Sequence, residues 1–321
     1  MALKVLHGWK NLAEADRGAA IAHGNFDGVH RGHQKVIQEA AAAARSLEAP
    51  LGVISFEPHP RLHFQPDAPP FRLMTPHQLA RTLEGMGVDR LYLLPFGAEM
   101  AGFTDQDFAR EVLFKGLGAR HVAVGFDTTF GKDRTGSPDA MRRYGREFGF
   151  SVSVAEAEGG AAVGEGQKFS STGVRNALRA GDPRLAADIL GRPFAIEGVV
   201  QKGRQLGRQL GFPTANVPLG DYVAPRFGVY ATRTRLKDGR QLNGVANIGV
   251  NPTTGEVAPR LEVWMFEFDE DIYGELIETD LIEFIRDELT FVDAHGDFDI
   301  PAMVEEVHRD AAKARQILGV G

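Results

Sequence analysis

The apolar positions in the first half of the chain fall into short runs set between longer amphipathic stretches. Ala19 to Ala22, Leu51 to Phe56, Arg90 to Leu94, His121 to Val124 and Phe150 to Val154 read as buried strands. Gln34 to Arg45 is a strong helix-forming run. Thr75-Pro76-His77-Gln78 is a capping-box start with proline at the first helical position, followed by Leu79, Leu83 and Met86 on one face and a stop at Gly87. Thr104 opens another helix, with Phe108, Val112 and Leu113 inward and an end at Gly116, and Ser137-Pro138 opens one more. Strands alternating with helices predict βαβ units, hence an α/β domain with a doubly wound parallel sheet. Ligands of such sheets bind beyond the carboxyl ends of the strands. The loops there are 24–33, 57–61 and 125–136, which are expected to meet in space. The prolines of Glu57-Pro58-His59-Pro60-Arg61 predict a stiff, extended loop.

Asp182-Pro183 opens a short helix to about Leu190, and from Phe194 the helical period gives way to short β runs. The domain boundary is therefore placed near 185, giving domains 1–185 and 186–321. Arg226 to Leu236 and Gln241 to Ile248 flank Asp238-Gly239, a hairpin signal. Leu261 to Phe268 alternates two mostly apolar faces, which predicts a buried strand. A closing helix over about Pro301 to Leu318 packs through Val304, Val307, Ala311, Ala314 and Leu318.

Composition narrows the function classes. The 321 residues suffice for two cores, and 43% hydrophobic with 25% charged residues is ordinary for globular chains. A net charge of -7 argues against a nucleic-acid partner. The absence of cysteine excludes disulfides, thiolate catalysis and cysteine zinc sites. No run is long enough for a membrane span, and Met1 to Asp16 lacks a signal-peptide core, so a cytoplasmic protein without membrane partners is expected.

The candidate chemistry sits in a few polar stretches. Gly24-Asn25-Phe26-Asp27-Gly28-Val29-His30-Arg31-Gly32-His33 links a strand to a helix start. Backbone N–H groups and the helix dipole favour an anion there, and the glycines allow sharp turns and close approach. His30 and His33, three residues apart, emerge on one face. They suit a phosphate chain gaining charge, although a metal pair or plain surface residues fit the spacing too. Ser170-Ser171-Thr172 caps a helix, with Arg175 one turn in, either an ordinary N-cap or a second phosphate cradle. Glu156 to Gly166 before it reads as a mobile loop. Gly203, Gly207 and Gly211, with Arg208 between, form a loop that could fold over phosphates or simply turn a β segment. Thr214 and Asn216 offer the hard oxygens that Mg²⁺ takes. Glu262 is a lone carboxylate between apolar neighbours, costly unless used or paired, for instance with Arg286.

Gly24 to His33 resembles the GxFDGVHxGH signature of bacterial bifunctional FAD synthetases, riboflavin kinase joined to FMN adenylyltransferase. Phe56-Glu57-Pro58-His59-Pro60 resembles that family's second motif, 125–136 its GxDFxFGxxRxG segment, and 169–175 the ISSTxxR motif. Residues 207–216 resemble the flavokinase GxxLGFPTAN signature. The resemblance implies a Rossmann-like nucleotidyltransferase domain followed by a small β-barrel riboflavin kinase domain with a terminal helix. Riboflavin, FMN and ATP would be its small-molecule partners, Mg²⁺ its cofactor and FAD its product, in a monomer or weak homo-oligomer. It implies phosphate or ATP contacts at Gly24, Phe26, Gly28, Ser170, Ser171, Thr172, Gly203, Gly207, Arg208 and Gly211, with His30, His33 and Arg175 stabilising charge. Flavin contacts would come from Asp27, Phe56, Pro58, His59 and Asp127, Mg²⁺ ligands from Thr214 and Asn216, and the kinase base would be Glu262. The chain departs from the pattern at Thr128 and Thr129 after Asp127, at Asn251 where Arg is usual, and at Trp264 where His is usual. A single-activity enzyme with one half disabled, or a non-catalytic flavin carrier, are the competing readings.

Overall fold

The computed structural model describes residues 2–160, 168–203, 207, 210–250, 258–291 and 299–320. Arg208, Asn251 and the 161–167 part of the expected mobile loop lie outside them. Contacts within the chain divide it into two compact units, 1–68 with 76–170 and 69–75 with 171–321.

In the first unit β1 (Lys4–His7) precedes β2 (Ala20–His23), which is wholly buried and leads through the glycine-rich turn into α1 (Arg31–Ser46). Next come β3 (Leu51–Phe56), α2 (Pro60–Phe64), α3 (Pro76–Gly85), β4 (Arg90–Leu94), α4 (Ala98–Gly102) and α5 (Asp105–Asp107). The run continues from α5 into a π-helical stretch, Phe108–Gly116. It is followed by β5 (His121–Gly125), α6 (Pro138–Phe148) and β6 (Ser151–Ala155). The sheet order is β1-β4-β3-β2-β5-β6, and every pairing is parallel. This is the doubly wound sheet expected from the alternating pattern. Strand order reverses between β2 and β5, so the loops after β2, β3 and β5 leave adjacent strand ends.

Two local expectations are corrected. The segment after Pro58 is not extended throughout. It closes into α2 at Pro60, where proline fits the first helical position and the His59 imidazole accepts from the Arg61 N–H. The helix after Thr104 does begin with a capping box between Thr104 and Asp107, but its body is π-wound rather than α, ending with Leu117 N–H on Val112 O at 2.8 Å.

The second unit opens with α7 (Ser171–Ala180) and α8 (Pro183–Leu190). Six strands follow: β7 (Phe194–Val199), β8 (Ala215–Pro218), β9 (Gly228–Arg235), β10 (Gln241–Gly249), β11 (Arg260–Met265) and β12 (Leu276–Arg286). They pair antiparallel in the order β7-β12-β9-β10-β11-β8. A bridge between Gln201 and Asn216, with N–H to O at 2.8 Å, ties the first strand to the last, so the sheet is a nearly closed barrel. Ala215, Val217, Ile248, Leu261 and Val263 fill its interior. The last helix, α9 (Ile300–Leu318), covers part of the outer face through Ala311, Ala314 and Leu318 against Val229, Ala231, Val245 and Phe266. The barrel and its terminal helix are as the resemblance implied. The strand over Leu261 to Phe268 is shorter than expected, and it is not buried on both faces. Leu261, Val263 and Met265 point into the barrel, while Glu262 and Trp264 on the other face stay half-exposed.

Candidate functional site

In the first unit the turn after β2 bends through positive φ at Phe26, Gly28 and Val29 (49°, 86° and 43°). A left-handed β-branched residue is strained, and burial holds it here, since Phe26 and Val29 are both inaccessible. Phe26 turns its ring inward against His33, with centroids 5.1 Å apart. The loop therefore offers backbone to the surface rather than that ring.

His30 caps α1: its Nδ1 accepts the His33 N–H at 3.3 Å, which leaves Nε2 as the ring nitrogen that can donate. The two imidazoles stack with centroids 3.7 Å apart. Gly32 between them keeps the contact open, because a Cβ there would lie 3.1 Å from the His30 ring. Burial, then the neighbouring His30, push His33 well below the usual histidine range, so it is neutral at physiological pH. Its Nδ1 is buried without a hydrogen-bond partner among the described residues. Two imidazoles beside a helix N-terminus can donate ring N–H groups to phosphate oxygens.

The ends of β2 and β3 meet the loop after β5. His23 at the end of β2 packs against Phe56 at the end of β3 (6.4 Å), Phe130 after β5 (5.8 Å) and Phe108 (5.0 Å). Asp27 and Phe56 are buried, Pro58 is exposed, and half-buried His59 caps α2. Asp127 is exposed and ion-paired with Lys168, whose ammonium also lies 5.1 Å from the Phe126 ring. Thr129 accepts from Arg134 Nε at 3.0 Å. The sequence reading passed over His23, a polar residue closing an apolar strand run, which was the available signal. Burial lowers its pKa to about 4.

Gly24, Gly28 and Ser170 belong to the first unit, whereas Ser171, Thr172 and Arg175 open α7 in the second. Arg175 Nε donates to Phe71 O at 2.8 Å, with the guanidinium 5.6 Å from the Phe71 ring.

The second cluster lies on the outer face of the barrel. Asn247 on β10, Glu262 on β11 and Asn216 on β8 are directly opposite one another in register, so their side chains share that face. The Glu262 carboxylate accepts no hydrogen bond from the described residues. Burial raises its pKa above the carboxylate norm, with Glu288 adding to the rise and Arg260 opposing it. Arg286 is not its partner: that guanidinium is held by Asp310 at 2.6 and 2.9 Å, which ties β12 to α9. Gly203 lies against the Asn216 carboxamide, and Gly207 and Gly211 belong to a turn closed by Phe212 N–H on Gly207 O at 2.8 Å. Thr214 is half-buried just before β8. Trp264 sits in an aromatic cluster with Phe212 (5.9 Å) and His308 (6.2 Å).

A parallel-sheet unit with two stacked histidines at a helix start thus precedes a nearly closed barrel with a carboxylate between two carboxamides, the layout of a two-part transferase. The family model for FAD synthetase matches residues 12–173, and that for riboflavin kinase matches residues 190–318. The chain is 39% identical to a bifunctional riboflavin kinase/FMN adenylyltransferase of Pseudomonas fluorescens, covering 98% of each. It is 37% identical to the protein of the same name in Escherichia coli K12, covering 99% of each. A solved structure titled macrolide-efflux protein from Streptococcus pneumoniae shares the fold with a TM-score of 0.81 and 28% identity, over 97% of this chain and 99% of that one. Among the described residues no helix is long and apolar enough to cross a membrane.

The chain belongs to the bifunctional riboflavin kinase/FMN adenylyltransferase family. It is an enzyme of FAD synthesis, phosphorylating riboflavin to FMN and transferring AMP from ATP to FMN.

Proposed function

We propose that the two reactions are divided between the two clusters: adenylyl transfer at the histidine turn, and riboflavin phosphorylation at the outer face of the barrel. One observation carries this division. The half-buried carboxylate with a raised pKa and no hydrogen bond from the described residues, Glu262, lies in the barrel, where the chemistry needs a base.

In adenylyl transfer the nucleophile is the FMN phosphate, already an anion, so it requires donors for the growing negative charge rather than a base. His30 and His33 supply ring N–H groups, and the N–H groups at the start of α1 add to them. Ser170, Ser171, Thr172 and Arg175 are assigned to the same reaction by their motif, as are Gly24, Phe26 and Gly28. The flavin assignments of Asp27, Phe56, Pro58, His59 and Asp127 rest on the two motifs that follow β3 and β5.

In the kinase reaction the nucleophile is a neutral alcohol, the 5′-hydroxyl of the ribityl chain, and Glu262 takes its proton. Thr214 Oγ1 and Asn216 Oδ1 are oxygen donors of the type Mg²⁺ binds, so the residues present fit that ion. When bound, Mg²⁺ neutralises charge on the ATP phosphates. Gly203, Gly207, Arg208 and Gly211 cover the nucleotide in this reading. Further, we assign the chain to the cytoplasm, acting on free riboflavin, FMN and ATP, as a monomer or weak homo-oligomer without nucleic-acid partners. The functional boundary near 185 falls inside α8, between the two family matches.

Chromatography of a reaction holding riboflavin, ATP and Mg²⁺ tests this reading. FMN should appear first and FAD after it. Stoichiometric flavin binding without ATP consumption would mark a carrier, and accumulation of FMN alone would mark a single activity.

A further inference from the structure

We propose that Asn247 binds the ribityl chain of riboflavin next to the phosphorylated hydroxyl, and that Glu288 holds it in position to do so. This rests on reading the barrel as the kinase site.

The row Asn247–Glu262–Asn216 gives the site a direction. Glu262 is central, and neighbouring strands are about 5 Å apart. Asn216 lies against Gly203 of the glycine-rich loop, so the nucleotide side of the base is the Asn216 side. The alcohol that reaches Glu262 has to enter with the rest of its chain away from the nucleotide, which leads it past Asn247. Successive hydroxyls of a polyol fall within the spacing of adjacent strands.

Asn247 is prepared for such a contact. Its Nδ2 donates to Glu288 Oε1 at 3.2 Å, the one hydrogen bond of that side chain among the described residues. A carboxamide has a second N–H and two acceptor lone pairs, so half of its donors and both acceptor sites remain to be filled. An alcohol both donates and accepts, and matches this set.

Glu288 is not there by default. It follows β12, yet β12 pairs with β9, and β9 separates it from β10. The chain has to cross the start of β9 to bring the carboxylate over β10. There the carboxylate rests directly on Gly249: a Cβ at 249 would lie 2.6 Å from Glu288 Cδ, and the exposed Glu288 side chain would have to move away to admit it. By accepting from Nδ2, the Glu288 carboxylate orients the Asn247 amide. Asn247 is the residue that would touch substrate, and Glu288 acts through it.

The test compares riboflavin with 4′-deoxyriboflavin, which lacks only the hydroxyl next to the reacting one, as kinase substrates. The unaltered enzyme should prefer riboflavin by about tenfold in kcat/KM, the usual order for one hydrogen bond. Asn247→Leu should raise the riboflavin KM about tenfold with little change in kcat, and should abolish the preference between the two substrates. Asn247→Ser, which is too short to reach, should do the same and keeps the test open if the leucine variant unfolds. Glu288→Ala should reproduce part of the rise in KM, and Glu288→Gln, which retains an acceptor for the amide, should rescue it. Full discrimination retained in both Asn247 variants would overturn the proposal. Equal effects of Glu288→Ala and Glu288→Gln would remove Glu288 from it. If the unaltered enzyme failed to phosphorylate riboflavin at all, the kinase reading would fall, and this assignment with it.

Discussion

The two clusters solve different electrostatic problems with different parts of a fold. The histidine turn is built from backbone: a buried strand end, positive φ at Phe26 and Val29, and a helix start whose cap is itself one of the functional rings. The barrel cluster is built from side chains on one face of a sheet, where register alone lines up Asn247, Glu262 and Asn216. The first environment keeps His33 neutral, since burial drives it well below its usual range. The second drives a carboxylate upward toward a working base. In the proposed division, the first arrangement serves an anionic nucleophile and the second a neutral alcohol.

The largest effect expected from breaking this contrast is at Glu262. Glu262→Gln keeps shape and hydrogen-bonding capacity but cannot accept the hydroxyl proton. Riboflavin phosphorylation should fall roughly 10²–10⁴-fold, the usual loss of a general base, while supplied FMN is converted to FAD at the normal rate. A near-normal kinase rate would remove Glu262 from the mechanism. A large drop in thermal midpoint with both activities lost would make it a structural carboxylate.

His30→Ala addresses the other half. Losing a donor to the developing charge should reduce FAD formation from FMN by roughly 10²–10³-fold, with FMN formation retained. An equal fall in both activities in a well-folded variant would contradict the division.

The smallest effect concerns stability rather than rate. His23 has a folded-state pKa of about 4 against an ordinary value of 6.5. The unfolded chain thus takes up the proton first as pH falls. The stability this burial contributes is complete above about pH 6.5 and declines as pH falls toward 4. Between about pH 7 and pH 5 the loss attributable to this one group is about 2 kcal/mol. His23→Leu should flatten the acid side of a plot of thermal midpoint against pH. An unchanged slope would show that the imidazole is already solvated in the folded chain.

Much of this architecture was legible from local pattern. The run Ala19 to Ala22, the turn that follows it and the helix beyond are each specified by nearby residues, and the structure places β2 and α1 there. The hairpin around Asp238-Gly239 likewise needs only its own turn chemistry. What escaped depends on distant contacts. Residues 69–75 group with the barrel because Phe71 and Arg72 donate to Asp221 O and Thr75 reaches Glu197, partners far along the chain. The half-exposed outer face of β11 could not be read from its apolar residues, because Glu262 and Trp264 are only partly buried there while Phe266 just beyond is buried in the cluster with α9. The seat of Glu288, just past β12, on Gly249 of β10 joins the ends of non-adjacent strands, and nothing local in either stretch announces it. The π-winding of Phe108–Gly116 likewise leaves an apolar pattern that reads as an ordinary helix.

The central claim is that two separate clusters perform two separable reactions with FMN passing between them. Mixing the His30→Ala and Glu262→Gln proteins and supplying riboflavin, ATP and Mg²⁺ tests it most directly. Alone, the first should stop at FMN and the second should make little of either product. Together they should form FAD, because FMN released by the intact kinase of one reaches the intact adenylyltransferase of the other. A mixture that forms no more FAD than the two proteins do separately, while each retains its remaining activity on its own substrate, would contradict the account.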